Sequence, residues 1–511
     1  MNPIELNLFS SRLESICEQM GEVLRNAAFS PNIRDRLDFS CAIFDANGEL
    51  SAQAAHIPVH LGSMAYAMSS VVSQVEWHEG DQVILNDPYL GGTHLPDVTL
   101  IAPVYVDGKL TAFVVNRAHH ADIGADTPGS MPVSSSLAEE GLVIPPTHYY
   151  RQGLPNRAFI DSLFQRLNEE QAGGDFAAQT SANLFAVDAL STLIASMGRG
   201  QYLSGLAYLN DYGQRLASSA ISSIPEGSYA FEDVMDDDGQ QNHAIKICMT
   251  LTVKQGRVLA DFNGTARQVP GNINCPLSVA AAGVFFAFRC LMPAQTPACA
   301  GVFRDIEITA PQGCLVNADF PAAVAAGNVE TSTRVVDVTL GALAQAIPEK
   351  IPAASHGSMN NVAMGSNETA CQWNYYETIG GGMGAGANGG GLSAVQTHMT
   401  NTLNTPVEVL ESTYPLLIRE YALRADSGGD GKRNGGNGIV RSFEFLKAAH
   451  LSVLTERRQI APWGREGGAD GQPGLNLLND KEMPAKFQSR VSQGDVLEIR
   501  TPGGGGYQSG E

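Results

Sequence analysis

Charge is scarce in this chain. Only 17% of its 511 residues are Asp, Glu, Lys or Arg, and they leave a formal charge of −21. No basic footprint offsets that charge, which excludes a nucleic-acid binder of the usual electrostatic kind and fits a soluble cytoplasmic protein. Long apolar runs are missing too. The most apolar one, Leu277 to Phe288, is too short to span a bilayer and reads as a buried helix, so no membrane partner is expected. Residues 1–20 carry Glu5, Arg12, Glu14 and Glu18 inside a helical apolar pattern, which is not a signal peptide. The eight cysteines are dispersed without a CxxC pair, which argues against structural zinc on cysteine and for reduced thiols. No GxSxG elbow marks a serine hydrolase. Gly431-Lys432 fails the phosphate-loop pattern, because Asp426 and Arg433 stand where Gly and Ser or Thr belong. The chain is not expected to bind ATP by itself.

What is present suits a large folded protein. Hydrophobic residues make up 43% and glycines number 54, as in loop-rich chains with large buried surfaces. The length allows two to four domains. The pattern divides into a metal-site α+β region at 1–225, a β-hairpin and buried-helix region at 226–375, and a glycine-rich, β-rich region at 376–511. The expected class is α+β, with multi-layer mixed sheets, packed helices and glycine-rich loops.

Leu6, Phe9, Leu13, Ile16, Met20 and Leu24 recur at helical spacing over residues 4–28. Asp38–Phe44 reads as a strand closed by the hairpin signal Asp45-Ala46-Asn47-Gly48, with Leu50–Gln53 returning. His56–Ser63 reads as a loop, with a helix from Met64 to about Gln74. Two β-rich runs, Val98–Val106 and Leu110–Val115, flank Asp107-Gly108, and Pro103 predicts an edge strand or a bulge. Residues 128–156 read as an extended active-site loop or lid. Leu163, Leu167, Leu184, Leu190, Ile194 and Leu206 mark buried helical faces, and residues 276–292 and 333–347 read as buried helices. Asp236-Asp237-Asp238-Gly239 lacks the spacing of a calcium loop and reads as a solvated turn.

The densest set of metal-capable side chains lies between Asp87 and Asp122. His94-x-x-Asp97 and His119 bracket the predicted hairpin. With a two-residue turn, paired positions sum to about 215. Asp97 then faces Ala118, one step from His119, and a bulge would shift the register by one. Two nitrogens and one oxygen suit zinc or manganese with a position left open. A buried His–Asp hydrogen-bond network would use the same residues. Asp38, at the head of a strand, is the best further oxygen ligand. His120 and Asp122 are candidates to orient the ligands or act as base. His56 and His60, either side of Pro58, are candidate ligands, substrate contacts or packed loop residues.

Long motifs then carry a family resemblance. They include Asp38-Phe39-Ser40-Cys41, His56-Ile57-Pro58-Val59-His60-Leu61-Gly62-Ser63, Asn86-Asp87-Pro88-Tyr89 through Asp97, and Asn116-Arg117-Ala118-His119-His120-Ala121-Asp122. Later come Glu377-Thr378-Ile379-Gly380-Gly381-Gly382, Thr397-His398-Met399-Thr400-Asn401-Thr402 and Pro502-Gly503-Gly504-Gly505-Gly506. In this order they make the chain similar to the B subunit of the hydantoinase/oxoprolinase family. The resemblance implies a metal-bearing subunit of an ATP-dependent cyclic amidohydrolase, opening a hydantoin, 5-oxoproline or other lactam. It implies a hydantoinase A-like partner that binds ATP and magnesium, in an (AB)2 or larger hetero-oligomer. Carried onto this sequence, it assigns Asp38, His94, Asp97 and His119 to the metal, leaving His120 and Asp122 as catalytic candidates and His56 and His60 for substrate. The alternatives are a subunit of an ATP-dependent ketone carboxylase of the acetone or acetophenone type, and a non-catalytic scaffold. Two departures stand out: Asp35-Arg36 in place of Glu-Arg, and Asn168-Glu169-Glu170 in place of an Asn-x-Arg-x-Pro pattern.

Overall fold

Helix α1 (Pro3–Ala27) starts at a capping box, in which Asn2 accepts from the Glu5 amide and the Glu5 carboxylate accepts from the Asn2 amide. Its Phe9, Leu13, Cys17, Met20 and Leu24 are buried, as the spacing predicts. The computed structural model describes residues 1–54, 56–167, 169–368 and 372–510. After α2 (Pro31–Arg34) come β1 (Phe39–Asp45), β2 (Leu50–Gln53), α3 (Pro58–Ser73), β3 (Gln82–Leu85), β4 (Asp97–Val106), β5 (Lys109–His119), β6 (Thr147–Arg151) and β7 (Leu154–Pro155). These strands form one antiparallel sheet in the order β2-β1-β5-β4-β3-β6-β7.

Alternation along the strands sorts side chains to two faces. Ala42, Phe44, Ile101, Phe113 and Val115 face α3 and pack with its Leu61, Met64, Met68 and Val71. The intervening residues of β4 and β5 face α5 (Glu169–Met197), which follows α4 (Arg157–Phe164) and precedes α6 (Arg199–Ser222). This sorting fixes which site residues can meet.

A second sheet joins strands 227–237, 243–254 and 257–261 to a parallel partner, 306–309. The apolar helices α7 (Leu277–Leu291) and α8 (Ser332–Ala346) are buried nearby, and the turn Gly327–Thr331 ahead of α8 is π-helical. Two further antiparallel sheets form the C-terminal part. Mixed sheets and packed helices give an α+β fold. The glycine-rich loops pack backbone against backbone: a Cβ on Gly503 would lie 1.7 Å from the Ser427 carbonyl oxygen, and one on Gly382 1.9 Å from that of Gly436. No helix among the described residues is long and apolar enough to cross a membrane.

Several expectations need correction. The His56–Ser63 stretch is not all loop, since α3 begins at Pro58, a residue preorganised for the first helical turn. Residues 128–156 do not form a free lid, because β6 and β7 extend the sheet and the Met131 carbonyl is held by Ser452 Oγ. Pro103 lies in an interior strand, not at an edge. Its missing donor falls beyond Ile101, the last β4 residue paired with β3. Leu184 is 57% exposed rather than buried. The acidic run is not solvated: Asp236 accepts from the backbone amides of Arg458, Gln459 and Ile460, and Asp238 from those of Gln240, Asn242 and Gly271. The Asn168-Glu169-Glu170 departure lies outside the described residues and side chains.

Candidate metal centre

Three adjacent strands end together at one edge of the first sheet. Phe39 pairs with Ala118, and the His119 amide donates to the Asp38 carbonyl, so Asp38 lies beside His119. Asp97 pairs with His119 itself. The Asp107-Gly108 turn does set a two-residue register, with Val106 opposite Lys109. A bulge then leaves Thr111 unpaired between Leu110 and Ala112 and shifts every later pair by one. The expected bulge exists, but on the strand opposite Pro103. The result is a row, Asp38–His119–Asp97, all on the face toward α3.

Two other elements close on that row. The loop before β4 brings the His94 Nε2 to 3.1 Å from Asp97 Oδ1. Helix α3 brings His60 Nε2 to 3.1 Å from Asp97 Oδ2 and 4.0 Å from Asp38 Oδ1. His119 Nδ1 is 3.2 Å from Asp97 Oδ1. Thr93 Oγ1 and Asn328 Nδ2 donate to Asp97 Oδ2 at 2.7 and 3.2 Å. Burial raises the Asp97 carboxyl, but the His60 and His94 imidazoles outweigh it and hold it well below the usual carboxylate range. His119 is pushed down by burial despite Asp97.

His94, Asp97 and His119 offer ligand atoms within 4.8 Å of one another, all buried. The His94 Nδ1 lies 3.1 Å from the Ala325 carbonyl oxygen, which can only accept. The proton therefore sits on Nδ1, and in a neutral ring the Nε2 lone pair points at a carboxylate oxygen. That juxtaposition calls for a cation between them, either a proton or a metal ion. Ligands about 2.0–2.2 Å from one ion are themselves roughly 3–3.5 Å apart, close to the 3.1 and 3.2 Å of His94 and His119 from Asp97 Oδ1. The Nε2 atoms of His94 and His119 have no hydrogen-bond partner. The donor set fits a zinc- or manganese-sized ion. The cavity lined by Asp38, His60, Asp97 and His119 leaves about 20 Å³ for the centre of a water-sized sphere, room for one ion or water.

The other predicted residues stand apart. His120 points to the opposite face of the sheet, where its Nε2 meets Gln179 Oε1 at 2.9 Å and its ring stacks on Phe176 of α5. Contact with the ligand set, as its proposed role requires, is absent because successive strand residues alternate. Asp122 is half-buried and accepts from the Gly124 amide. His56 Nδ1 accepts from the Cys41 amide, and burial pushes its pKa down to about 4. It braces β1 rather than lining the cavity.

Sequence reasoning missed four contributors. Arg36 is fully buried, 3.6 Å from Asp38 Oδ2, and donates to the Tyr376 carbonyl and Thr378 Oγ1. Tyr376 stacks on His119 at 4.6 Å and is fixed by its hydroxyl on Asn361 Oδ1. Arg117 ties Thr99, Ser63 and the Gly91 carbonyl together, which holds α3 and the His94 loop to the sheet. Asn328 sits in the π-helical turn, a distortion common at functional sites, and Gly327 beside it admits no Cβ because one would lie 1.8 Å from the Asn274 carbonyl oxygen. Asn328→Ala is expected to leave the fold intact and weaken metal binding about 10–100-fold, the usual cost of losing a group that holds a ligand; a chelator-competition titration reads this directly.

Fold and centre together define a mixed α+β protein built around one buried His–Asp cluster able to hold a divalent ion. A family model for hydantoinase B/oxoprolinase matches residues 2–509, and the chain belongs to that family. An uncharacterised protein of Methanocaldococcus jannaschii is 40% identical over 522 residues, covering 100% of this chain and 91% of the relative. The 5-oxoprolinase 1 of Arabidopsis thaliana is 38% identical over 544 residues; 99% of this chain matches 42% of that protein, so the chain spans about two-fifths of its length. The crystal structure of ATP-dependent caprolactamase from Pseudomonas jessenii matches with a TM-score of 0.92 at 26% identity, covering 100% of this chain and 91% of that chain.

Proposed function

We propose that this chain is the metal-bearing subunit of an ATP-dependent cyclic amidohydrolase that opens a hydantoin, 5-oxoproline or other lactam ring. The observation that carries this reading is one carboxylate, Asp97, facing three imidazoles, two of which, His60 and His119, line a cavity sized for one ion. Relatives that include a 5-oxoprolinase and an ATP-dependent caprolactamase support the reaction class. The match to only part of the plant 5-oxoprolinase supports a partner, a hydantoinase A-like chain holding ATP and magnesium, in an (AB)2 or larger assembly.

An unstrained amide resists water, and phosphorylating its carbonyl oxygen makes that oxygen a leaving group. A zinc or manganese ion held by His94, Asp97 and His119, with Asp38 as a further ligand, would supply Lewis acidity and acidify water. His60 lines the cavity 3.1 Å from Asp97 Oδ2, where its Nε2–H orients that carboxylate as a metal ligand. Thr93 and Asn328 hold the second oxygen of Asp97, and Tyr376 fixes the plane of His119. His60 takes the place first expected of His120 as orienter of the ligands, because His60 reaches the cavity and His120 does not.

Co-purification with the native partner tests this. The complex is expected to carry about one metal ion per copy of this chain and to open a lactam or hydantoin only with ATP, while the chain alone is inactive. Turnover by the chain alone, or without ATP, sinks the reading. Bicarbonate-dependent turnover of a ketone instead moves the chain to the carboxylase class. Full activity in assembled complexes lacking His94 and His119 makes it a scaffold.

A further inference from the structure

Glu330 is a fully buried carboxyl group outside the metal cavity. It follows Asn328 by two residues in the π-helical turn Gly327–Thr331. Burying a carboxyl group is costly, so its place there needs a reason. Its Oε1 accepts from the Met359 amide at 2.9 Å and from Asn361 Nδ2 at 2.6 Å. Both partners lead to the metal centre. Met359 lines the cavity, and Asn361 Oδ1 receives the hydroxyl of Tyr376, whose ring stacks on His119.

The direction of this chain of hydrogen bonds is fixed. Asn361 Nδ2 also lies 2.8 Å from the carbonyl oxygen of Leu454, its partner on the neighbouring strand, and that oxygen can only accept. The amide nitrogen must therefore face Leu454 and Glu330, and the amide oxygen must face Tyr376. The Tyr376 hydroxyl then donates at 2.7 Å, and its ring lies 4.6 Å from that of His119 and 11° from parallel. A ring held parallel to an imidazole hinders rotation of that imidazole about its Cβ–Cγ bond. Burial, reinforced by Glu456 and opposed by Lys486, pushes the Glu330 carboxyl up to about 8. At neutral pH the group is mostly protonated, and glutamine is its neutral counterpart.

Taking the metal centre of the proposed function as its basis, we infer that Glu330 is a positioning residue for His119, acting through Asn361 and Tyr376. One turn then steadies two ligands, Asp97 through Asn328 and His119 through Glu330. In the test, the full chain is titrated with Mn2+ against a competing chelator, and the bound ion is read by electron paramagnetic resonance. Glu330→Leu is expected to weaken Mn2+ binding about 10–100-fold, the usual cost of losing a group that holds a ligand, and to broaden the spectrum of the bound ion. Glu330→Gln keeps the accepting oxygen and is expected to restore wild-type affinity and spectrum. Tyr376→Phe keeps the ring and removes its tether. It is expected to act in the same direction as Glu330→Leu, and it keeps the test open if that variant folds poorly. The double variant is expected to lose no more than the weaker single one, because both changes cut the same chain of contacts. Losses that multiply in the double variant, a Glu330→Gln chain as weak as Glu330→Leu, or wild-type binding in both Glu330→Leu and Tyr376→Phe overturn the role of Glu330 and leave the metal centre intact. A wild-type chain that takes up no Mn2+ overturns the metal centre and this role with it.

Discussion

Asp97→Asn is expected to empty the metal centre and reduce turnover of the assembled complex by at least about 100-fold, the upper end of what losing even an outer partner of a metal ligand costs. Asn keeps the shape of Asp but not its charge or its second acceptor. Oδ2 receives Thr93, Asn328 and His60 together, and Oδ1 faces His94 and His119. Whichever end the amide nitrogen takes, it meets donors or imidazoles that need an acceptor. The metal-free protein loses some stability for the same reason, so the decisive readout is the metal-to-chain ratio in folded protein, measured by elemental analysis beside turnover. His120→Gln is the comparison. It disturbs the packing of α5 and is expected to leave the metal ratio unchanged. Stoichiometric metal and full turnover in Asp97→Asn would refute the assignment.

Arg457→Met is expected to cost about 3–5 kcal/mol of stability, the range for removing one partner of a buried ion pair. Arg457 Nη2 lies 2.8 Å from Asp233 and 2.7 Å from Asp337, all buried. Arg334 bridges Asp233 and Glu456 at 3.2 and 3.3 Å, and Lys486 holds Glu456 at 2.7 Å. This network joins the second sheet, α8 and the C-terminal sheets, and the one deletion takes a partner from carboxylates on two of them, Asp233 and Asp337. The denaturant midpoint of the full chain reads the loss; a shift below about 1 kcal/mol would mean the carboxylates find other partners. Burial raises the Asp337 carboxyl, but His398 and Arg457 outweigh it and hold it at about 2. Its folded value lies below its unfolded value of 3.8. The stability it contributes is therefore present above pH 4 and is lost as pH falls through 2. Arg457→Met should flatten that part of the acid profile.

Local signals carried much of this architecture. Helical spacing located α1, α7 and α8, and turn chemistry located both N-terminal hairpins. One turn and the spacing of two strands brought Asp97 within one residue of His119, and the bulge at Thr111 supplied the last step. Contacts made across hundreds of residues were not legible. The acidic run at 236–238 is polar and looks solvated until Arg458–Ile460 arrive to donate their amides. Asn328 reaches Asp97 from a π-helical turn that no periodicity marks. His60 was misplaced for a different reason: His56–Ser63 reads as a loop, whereas Pro58 starts a helix. His120 looked equivalent to His119 in composition, and only strand parity separates them.

Thr111 sits about eight residues from His119, some 27 Å along the strand at roughly 3.4 Å per residue, and touches none of the centre. Yet it decides which side chain Asp97 faces. Were Thr111 paired instead of bulged out, the two-residue turn would carry its register to the end of the hairpin, setting Ala118 against Asp97 and turning His119 out of the centre. The tip of this hairpin resembles the surface loops where insertions and deletions usually accumulate. Here the bulge is an address: pairing Thr111 into the ladder rewrites the chemistry at the far end, whereas deleting Thr111 removes the bulge and keeps Asp97 opposite His119.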